Sequence, residues 1–599
     1  MEQEYLQDNF EEMGESGGRE KETKSVWPVI SVFLFFLFAA AAFYLMEAYE
    51  HNPFLEVRPK AQLFNLLLFE LIAWTLYLLT NRMRLACRLL MIFSMLFGLV
   101  NYYVMRFRST PFVPWDIFSA GTAASVAGNY DFTPELRMVL VSLAFVLLFV
   151  LAHFMREAPR IRPLYRFPAA AAGLVFLCVF THTLQNEQFQ IRNYLYPYLF
   201  TPGYMTEVNG MAVTFAMNLQ YLEVEQPRGY DRNEAKAILE EFEEEPQKGE
   251  YPNIIVIMDE AFSEPAVLGE LQTNQDYMPF YHELLRGADN TVTGYAEVSV
   301  CGGNTANSEF EFLTGNTMAF LPEGSIPYQQ YIKRKTPSLA AHLAELGYQT
   351  YAQHPYYASG WEREKVYPLL GFADMDFIDD YTDKAYVRKY ISDACDFAHV
   401  IDTYESKEPG SPAFIFNVTM QNHGGYTDEY ADFASDVQME GGSAALNQYL
   451  SLVRRTDESL RELITYFSGV EEPAVVVFFG DHQPSDAVVR PVWAENGVGS
   501  ALSAEQQRLR YQVPYLIWAN FEIPEEEGLD MSLNYLGYEV LKRAGVPTSA
   551  YQNFLGEMRR VCPVLSAAGR TDTAEEEELE DWLLHYQKVQ YYQLFDNRE

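Results

Sequence analysis

Five apolar stretches among the first 185 residues constrain the fold of this chain more than any other feature. Each comes close to the roughly 20 residues with which an α-helix crosses a hydrocarbon core about 30 Å thick. A cleaved signal peptide would account for the first stretch alone, so we expect five membrane-spanning helices. The stretches cover approximately 27–46, 62–80, 88–105, 136–154 and 168–184.

The basic residues of the connecting loops predict how these helices are oriented. Arginines are concentrated in 81–88 and 156–166, and Lys21 and Lys24 precede the first stretch. Lysine and arginine in short loops favour the cytoplasmic side of a membrane. Five crossings that start in the cytoplasm deliver the rest of the chain to the opposite side. We therefore expect a multi-pass protein of the cell membrane whose C-terminal domain is extracellular.

The sequence beyond the apolar stretches predicts a stalk followed by an α/β domain. "NIIVIM", "AFIFNV" and "AVVVFF" are continuous apolar runs suited to strands buried on both faces, and helical periods separate them. This alternation predicts a mostly parallel sheet flanked by helices. The predicted parts are a cytoplasmic tail at 1–25, a transmembrane domain at 26–185, a juxtamembrane stalk at 186–250 and an extracellular catalytic domain at 251–599.

Charge and cysteine content argue against nucleic-acid binding and against a fold held together by disulfides. The formal net charge of −39 argues against nucleic acid as a partner. The five cysteines form no CxxC pair and show no metal-finger spacing, so we expect no disulfide framework.

Polar residues follow three of the predicted strands at the point where each strand ends. Ligands of parallel α/β sheets bind beyond the carboxyl ends of the strands, so we expect these side chains to converge. Each has an ordinary explanation by itself, as a turn or a loop. The residues are Asp259 and Glu260 after "NIIVIM", His423 after "AFIFNV", and Asp481 and His482 after "AVVVFF".

The segment "GGNT" places Thr305 directly before the predicted helix "ANSEFEFL". A threonine at such a position is commonly only a helix cap. Here a second interpretation is available, because glutamate, aspartate and histidine form a set of ligands suited to Mn²⁺, Mg²⁺ or Zn²⁺. A divalent cation would stabilise the threonine alkoxide, and a helix N-terminus attracts an anion. The sequence therefore predicts a threonine nucleophile that attacks a phosphorus centre.

At these residues the sequence resembles the lipoteichoic acid synthase family, within the alkaline phosphatase and sulfatase superfamily. The segments that carry the resemblance are "IVIMDEAFSEP", "GGNTANSEFEFLTG", "QHPYYASGWERE", "VTMQNHGGY" and "FFGDHQP". The resemblance implies an alkaline phosphatase/sulfatase-like fold and Thr305 as the catalytic nucleophile. It implies Glu260, Thr305, Asp481 and His482 as metal ligands, and His354, Trp361, Arg363 and His423 as substrate-binding residues.

The resemblance also implies a reaction. One divalent cation is expected, Mn²⁺ first, with Mg²⁺ or Zn²⁺ as alternatives. The implied enzyme is a phosphoglycerol transferase that takes phosphatidylglycerol as donor and extends a glycerophosphate chain or a glycolipid acceptor at the membrane surface. One position departs from the family pattern, since Tyr356 stands where well-studied members carry an aspartate. This departure leaves the head group or the acceptor open.

Three alternatives stand beside this reaction. A related transferase would act on another lipid donor or a glycan acceptor, for example by phosphoethanolamine transfer, although such enzymes usually carry several disulfides. A true sulfatase needs a C/S-x-P-x-R motif, whereas Cys301 is followed by "GGNT". A non-catalytic membrane scaffold or sensor would not need to retain the four residues expected around the metal.

Overall fold

The computed structural model describes residues 27–108, 111–117, 132–157, 160–196, 202–222, 224–244, 249–322, 325–499 and 502–597. These residues form two compact units. The first takes in the described residues up to Tyr102, with Pro134–Tyr196 and Glu207–Thr214, and the second takes in the rest. The predicted tail at 1–25 lies outside the described residues, and the predicted domain boundaries stay predictions.

Within the described ranges, five apolar helices occupy the first part of the chain. They are α1 (Trp27–Glu47), α2 (Pro59–Thr80), α3 (Met83–Arg108), α4 (Leu136–Leu151) and α5 (Pro163–Gln185). Each lies in a segment that is long and apolar enough to cross a membrane, so the five predicted spans are confirmed. Both α2 and α5 begin with proline, which lacks the N–H that the first helical turn leaves unpaired.

Of the strands that the structure describes in the second unit, eight form one sheet and four short ones lie outside it. The strands are β1 (Asn253–Asp259), β2 (Thr291–Glu297), β3 (Gln349–Gln353), β4 (Asp374–Asp376), β5 (Tyr386–Val387), β6 (Tyr390–Ile391), β7 (Ala413–Val418), β8 (Ala474–Gly480), β9 (Gln512–Ala519), β10 (Met531–Ser532), β11 (Val564–Ser566) and β12 (Gly569–Thr571). The main sheet has the order β10-β2-β9-β8-β1-β7-β3-β4. It is mostly parallel, as the sequence predicts, but β9 runs antiparallel to both of its neighbours.

The central strands are buried along their whole length, which explains their continuous apolar sequences. In β1, Ile254 and Val256 face one hydrophobic core, while Ile255 and Ile257 face the other. A strand covered on both faces gains from apolar residues at every position. The sheet is therefore the middle of three layers, and its polar residues are concentrated at the strand ends.

Helices complete both outer layers and the segment that follows α5. They are α6 (Glu187–Arg192), α7 (Pro202–Asn209), α8 (Met211–Asn218), α9 (Arg232–Glu240), α10 (Pro279–Leu284), α11 (Thr305–Thr314), α12 (Pro327–Gln330), α13 (Leu339–Glu345), α14 (Arg363–Val366), α15 (Asp393–Ser406), α16 (Ala444–Ser468), α17 (Asp486–Glu495), α18 (Ala504–Leu509), α19 (Leu536–Ala544), α20 (Ala550–Val561) and α21 (Glu576–Tyr591). One core contains residues of α11, α13 and α19 to α21, and the other contains residues of α15 to α17.

Candidate active site

The carboxyl ends of β1, β7 and β8 meet at one edge of the sheet, because these strands are parallel neighbours. Glu260 directly follows β1, and Asp481 directly follows β8. Two hydrogen bonds join the loops at these ends. The backbone N–H of Ala261 donates to Asp481 Oδ1 at 2.7 Å, and that of Glu260 donates to Thr419 Oγ1 at 3.0 Å. The sheet thus places the carboxylate of Glu260, at the end of β1, beside that of Asp481, at the end of β8.

Glu260, Asp481 and His482 form a buried cluster. One ligand atom from each lies within 4.8 Å of the others. His482 Nε2 is 3.2 Å from Asp481 Oδ2 and 3.6 Å from Glu260 Oε1. Burial, followed by the charge of Asp481, raises the pKa of Glu260 well above its usual range. Two buried carboxylates close together repel each other when both are ionised, and a bound cation would offset that repulsion.

The unpaired atoms of the cluster fit a metal ion. Asp481 Oδ2 and His482 Nε2 are buried and have no hydrogen-bond partner among the residues that the structure describes. The other ring nitrogen of His482, Nδ1, donates to the Gln483 carbonyl at 3.0 Å, which leaves a lone pair on Nε2. A carboxylate pair with one such imidazole is a donor set suited to Mn²⁺ or Zn²⁺. The residues therefore fit a divalent cation, and its identity stays a prediction.

Thr305 is the first residue of α11 and lies beside this cluster. Its hydroxyl donates to Glu260 Oε2 at 3.2 Å. Thr305 is 6% exposed, so the hydroxyl is shielded from bulk water. Ser308, in the first turn of the same helix, donates to the Asp481 carbonyl at 2.6 Å and holds the helix against the β8 end. The unpaired N–H groups of the helix start add partial positive charge next to the hydroxyl.

Left-handed backbone conformations are concentrated around the cluster. Ala261 follows Glu260 with φ of 54°, and Asn304 precedes Thr305 with φ of 68°. Trp361 and Glu362 adopt φ of 55° and 59° in succession, immediately before Arg363. Such conformations are unfavourable for residues with a Cβ and persist where function or packing demands them. The sequence gives no sign of this strain, because none of these positions is a glycine.

His354 follows β3 and is buried. Its Nδ1 donates to the Val418 carbonyl at 2.8 Å, so the lone pair is on Nε2. Burial and the nearby Arg363 lower the pKa of His354 well below its usual range. His354 is therefore a neutral imidazole that can accept a proton or a hydrogen bond.

His423 lies in the loop after β7, where a hairpin fixes its position. Tyr390 Oη and His423 Nδ1 are 3.1 Å apart. Arg388, in the turn between β5 and β6, donates to the carbonyls of Gln421 and His423 at 2.9 and 2.8 Å. Burial, together with the charges of His482, Lys389 and Arg388, lowers the pKa of His423 to about 3. Sequence reasoning missed this hairpin, since a bond to a backbone carbonyl leaves no mark on residue identity.

Arg363 is more constrained than the sequence predicts. Its Nη2 and Nε donate to Glu309 Oε1 at 2.5 and 3.1 Å, so one edge of the guanidinium is already occupied. Tyr367 donates to the other oxygen of Glu309 at 2.8 Å. Trp361 is half-buried and packs against the core that contains α11. The sequence offers Glu309 and Glu311 alike in the segment "ANSEFEFL", and the structure shows that Glu309 is the one that pairs with Arg363.

Comparison with protein families identifies this part of the chain. The sulfatase family model matches residues 252–546. These residues form a sulfatase domain of the alkaline phosphatase superfamily. The sulfatase domain begins with β1 and contains the Glu260 cluster and Thr305. Since five apolar helices precede this domain, the chain is a membrane protein. Its sulfatase domain contains a group of side chains that could bind a metal ion.

The known proteins that are similar to the chain include two curated relatives and one solved structure. A Rhizobium meliloti protein named for cyclic beta-1,2-glucan modification is 32% identical over 67% of this chain. Lipoteichoic acid synthase of Staphylococcus aureus is 28% identical over 38% of it. The chain spans 63% and 35% of the lengths of these two relatives. The solved structure is that of the phosphoglycerol transferase GacH of Streptococcus pyogenes in complex with sn-glycerol-1-phosphate. It matches 62% of this chain and 96% of its own with a TM-score of 0.52 and 20% identity, which shows a similarity of fold.

Proposed function

We propose that the chain is a phosphoglycerol transferase that uses phosphatidylglycerol as donor and Thr305 as nucleophile. The observation that carries the proposal is the Thr305 hydroxyl, 3.2 Å from Glu260 within the cluster that fits a divalent cation. The cation would act as a Lewis acid that stabilises the threonine alkoxide. The five apolar helices keep the domain at a membrane, where a lipid donor is found.

In the first half of the reaction, Thr305 Oγ1 forms a bond to the phosphorus of the donor. The bond from phosphorus to the diacylglycerol oxygen breaks, and diacylglycerol leaves with the proton that the hydroxyl gave up. Glycerophosphate stays on Thr305 as a phosphodiester. The N-terminus of α11 lies next to the phosphoryl oxygens and stabilises their negative charge.

In the second half, a hydroxyl of the acceptor attacks the same phosphorus, and the Thr305 oxygen leaves. A neutral imidazole can take the acceptor's proton, and both His354 and His423 are held neutral by burial. The net result is a glycerophosphate unit transferred from lipid to acceptor and a regenerated threonine. With a glycerophosphate chain as acceptor, repeated cycles build a polymer of the lipoteichoic acid type on the extracellular side.

A glycan acceptor is the second candidate. In place of a carboxylate, Tyr356 presents an aromatic ring 4.6 Å from the ring of Tyr357 and 6.1 Å from that of Tyr390. Aromatic faces offer apolar contact area, which favours a sugar ring over a short charged glycerol unit. The relative named for glucan modification supports the same candidate.

One experiment tests both candidates. The purified full-length chain is incubated with Mn²⁺, phosphatidylglycerol labelled in its head group, and either a glycerophosphate-primed glycolipid or an oligoglucan. Mass spectrometry then reads the products. Diacylglycerol release with a glycerophosphate adduct on Thr305 supports the donor half. A ladder on the glycolipid supports polymer synthesis, single additions to the oligoglucan support glycan modification, and intact lipid contradicts the proposed donor.

A further inference from the structure

A buried ion pair connects the helix of Thr305 with the segment of Arg363. The Arg363 and Glu309 side chains are 3% and 0% exposed, and Nη2 lies 2.5 Å from Oε1. Glu309 comes four residues after Thr305, which puts both side chains on one face of α11. A single helix therefore carries the nucleophilic hydroxyl and the carboxylate that holds the guanidinium.

The ion pair leaves a second edge of the guanidinium available. Glu309 engages Nε and one hydrogen of Nη2. Nη1 is 3.5 Å from the Gly360 carbonyl, at the outer limit for a hydrogen bond. A guanidinium has five N–H donors in a planar fork, so one hydrogen of Nη1 and the second hydrogen of Nη2 form a parallel pair on the edge that Glu309 does not engage. Such a pair matches two oxygens of a phosphate.

Arg363 also lies near an imidazole of the candidate active site, since burial and then the charge of Arg363 favour the neutral form of His354, which follows β3. Through α11, the guanidinium is connected to Thr305, whose hydroxyl donates to Glu260 Oε2 at 3.2 Å. Any phosphoryl group attacked by Thr305 would sit within this same region.

Stability alone gives a weak reason for an ion pair at this depth. Removing two charges from water offsets most of their mutual attraction, and apolar residues of similar size often serve a core equally well. Both oxygens of Glu309 are engaged: Oε1 accepts from Arg363 Nη2, and Oε2 accepts from Tyr367 at 2.8 Å and from Arg363 Nε at 3.3 Å. This arrangement fixes the orientation of the guanidinium rather than merely neutralising it.

We propose that Glu309 is a positioning residue that aims the free edge of Arg363 at two oxygens of the substrate phosphate. Glu309 acts through Arg363 and touches no reacting atom. The assignment rests on the proposed function, because it assumes a phosphate-containing substrate at Thr305.

The test uses the Mn²⁺-loaded full-length chain and two readouts. The first is the binding of inorganic phosphate by calorimetry, in wild type, E309Q, R363K and the double variant. The second is diacylglycerol release from labelled phosphatidylglycerol. We expect E309Q to weaken phosphate binding about tenfold and to slow release about 100-fold. We expect the double variant to be no worse than R363K, because the two residues act as one unit.

A matched control separates positioning from loss of stability. Glu539 of α19 is another buried glutamate that pairs with arginine, at 2.6 Å from Arg543 and 3.0 Å from Arg559. E539Q should lower the melting temperature as E309Q does and leave phosphate binding unchanged. Additive losses in the double variant, absent phosphate binding in wild type, or a loss in E309Q that E539Q shares would overturn the assignment. Intact phosphatidylglycerol alongside coupled phosphate binding would overturn the proposed donor alone.

Discussion

The hydroxyl of Thr305 donates to Glu260 Oε2 at 3.2 Å, across 45 positions of sequence. The bond joins the first residue of α11 to the residue that directly follows β1. It places an alcohol of ordinarily poor nucleophilicity directly beside the three side chains that fit a divalent cation. The relationship ties the predicted nucleophile to the predicted metal ligands more closely than either motif does alone.

Replacing Thr305 with alanine should abolish diacylglycerol release and the covalent glycerophosphate adduct. The free energy of unfolding should change by about 1 kcal/mol or less, since one hydrogen bond is lost. Activity and adduct formation would be followed with labelled phosphatidylglycerol. T314A at the far end of α11, where Thr314 bonds to the Phe310 carbonyl, should retain activity and is the matched control. Continued release by T305A would exclude Thr305 as the nucleophile.

The sequence could predict the residues of this region but not how they are held. Glu260 and Asp481 directly follow continuous apolar runs, so local pattern and the geometry of parallel strands suffice to place them. The pairing of Arg363 with Glu309 spans 54 positions and depends on which faces of two distant segments meet. Their roles in catalysis stay predictions, whereas their positions are now defined.

The direction of β9 shows a similar limit. Its sequence "VPYLIWA" is as apolar as those of the parallel strands, yet it runs antiparallel between β2 and β8. A continuous apolar run specifies burial on both faces and carries no information about direction. The strand β2 was missed altogether, because Gly294 interrupts its apolar pattern. That glycine is required, since a Cβ there would lie 2.2 Å from the Leu529 carbonyl oxygen.

Chelation of the metal should destabilise the domain, and the effect should depend on pH. At a free-ion concentration of 100 times Kd, a bound ion adds about 2.7 kcal/mol to the free energy of unfolding. Because burial raises the pKa of Glu260 and of Asp481, protons compete with the metal for these carboxylates more strongly as the pH falls. The affinity should therefore fall as the pH falls. Melting curves with EDTA and with added Mn²⁺ at several pH values measure this, and D481N should lose the dependence on Mn²⁺.

His282, outside the candidate metal cluster, should make the free energy of unfolding depend on pH. It donates to Glu264 at 2.7 Å and to Asp276 at 2.8 Å. Burial opposes its positive charge, but the hydrogen bonds to both carboxylates prevail and raise the pKa of His282 to about 9. A raised pKa contributes stability that is complete below the unfolded value of about 6.5 and lost as the pH rises through 9.

H282Q should consequently be less stable than wild type at pH 6, by on the order of 1–2 kcal/mol because the ring is partly solvated. At pH 10 the two proteins should differ little. Urea denaturation at both pH values makes the comparison. D276N, which removes one of the two carboxylates, should show a smaller dependence on pH. An equal difference between wild type and H282Q at both pH values would refute the assigned role of the imidazole charge.

Gly480 should tolerate no side chain. It ends β8 directly before Asp481, and a Cβ there would lie 1.8 Å from the Phe262 carbonyl oxygen. G480A should lower the free energy of unfolding by about 3 kcal/mol or more and weaken Mn²⁺ binding, because the strand end must move. In the control G469A, the new Cβ would lie 3.5 Å from the nearest atom beyond the adjacent residues, the Tyr466 carbonyl oxygen. That variant should melt near wild type and bind Mn²⁺ normally.

Tyr356 should decide which acceptor the domain prefers. Its ring lies 6.2 Å from His354 and 4.6 Å from Tyr357, so it forms part of an aromatic surface beside the candidate active site. In Y356D this apolar area is replaced by a carboxylate that accepts hydrogen bonds from a glycerol hydroxyl. The added charge should slow transfer overall by repelling the donor phosphate, so the ratio of products is the informative quantity. We expect the ratio to shift from oligoglucan toward glycerophosphate-primed glycolipid when both acceptors compete at equal concentration.

Y357D places the same charge on the neighbouring residue, which is 48% exposed, and should leave the ratio unchanged. A ratio that Y356D does not alter would remove Tyr356 from acceptor selection, and the case for a glycan would then rest on sequence similarity alone.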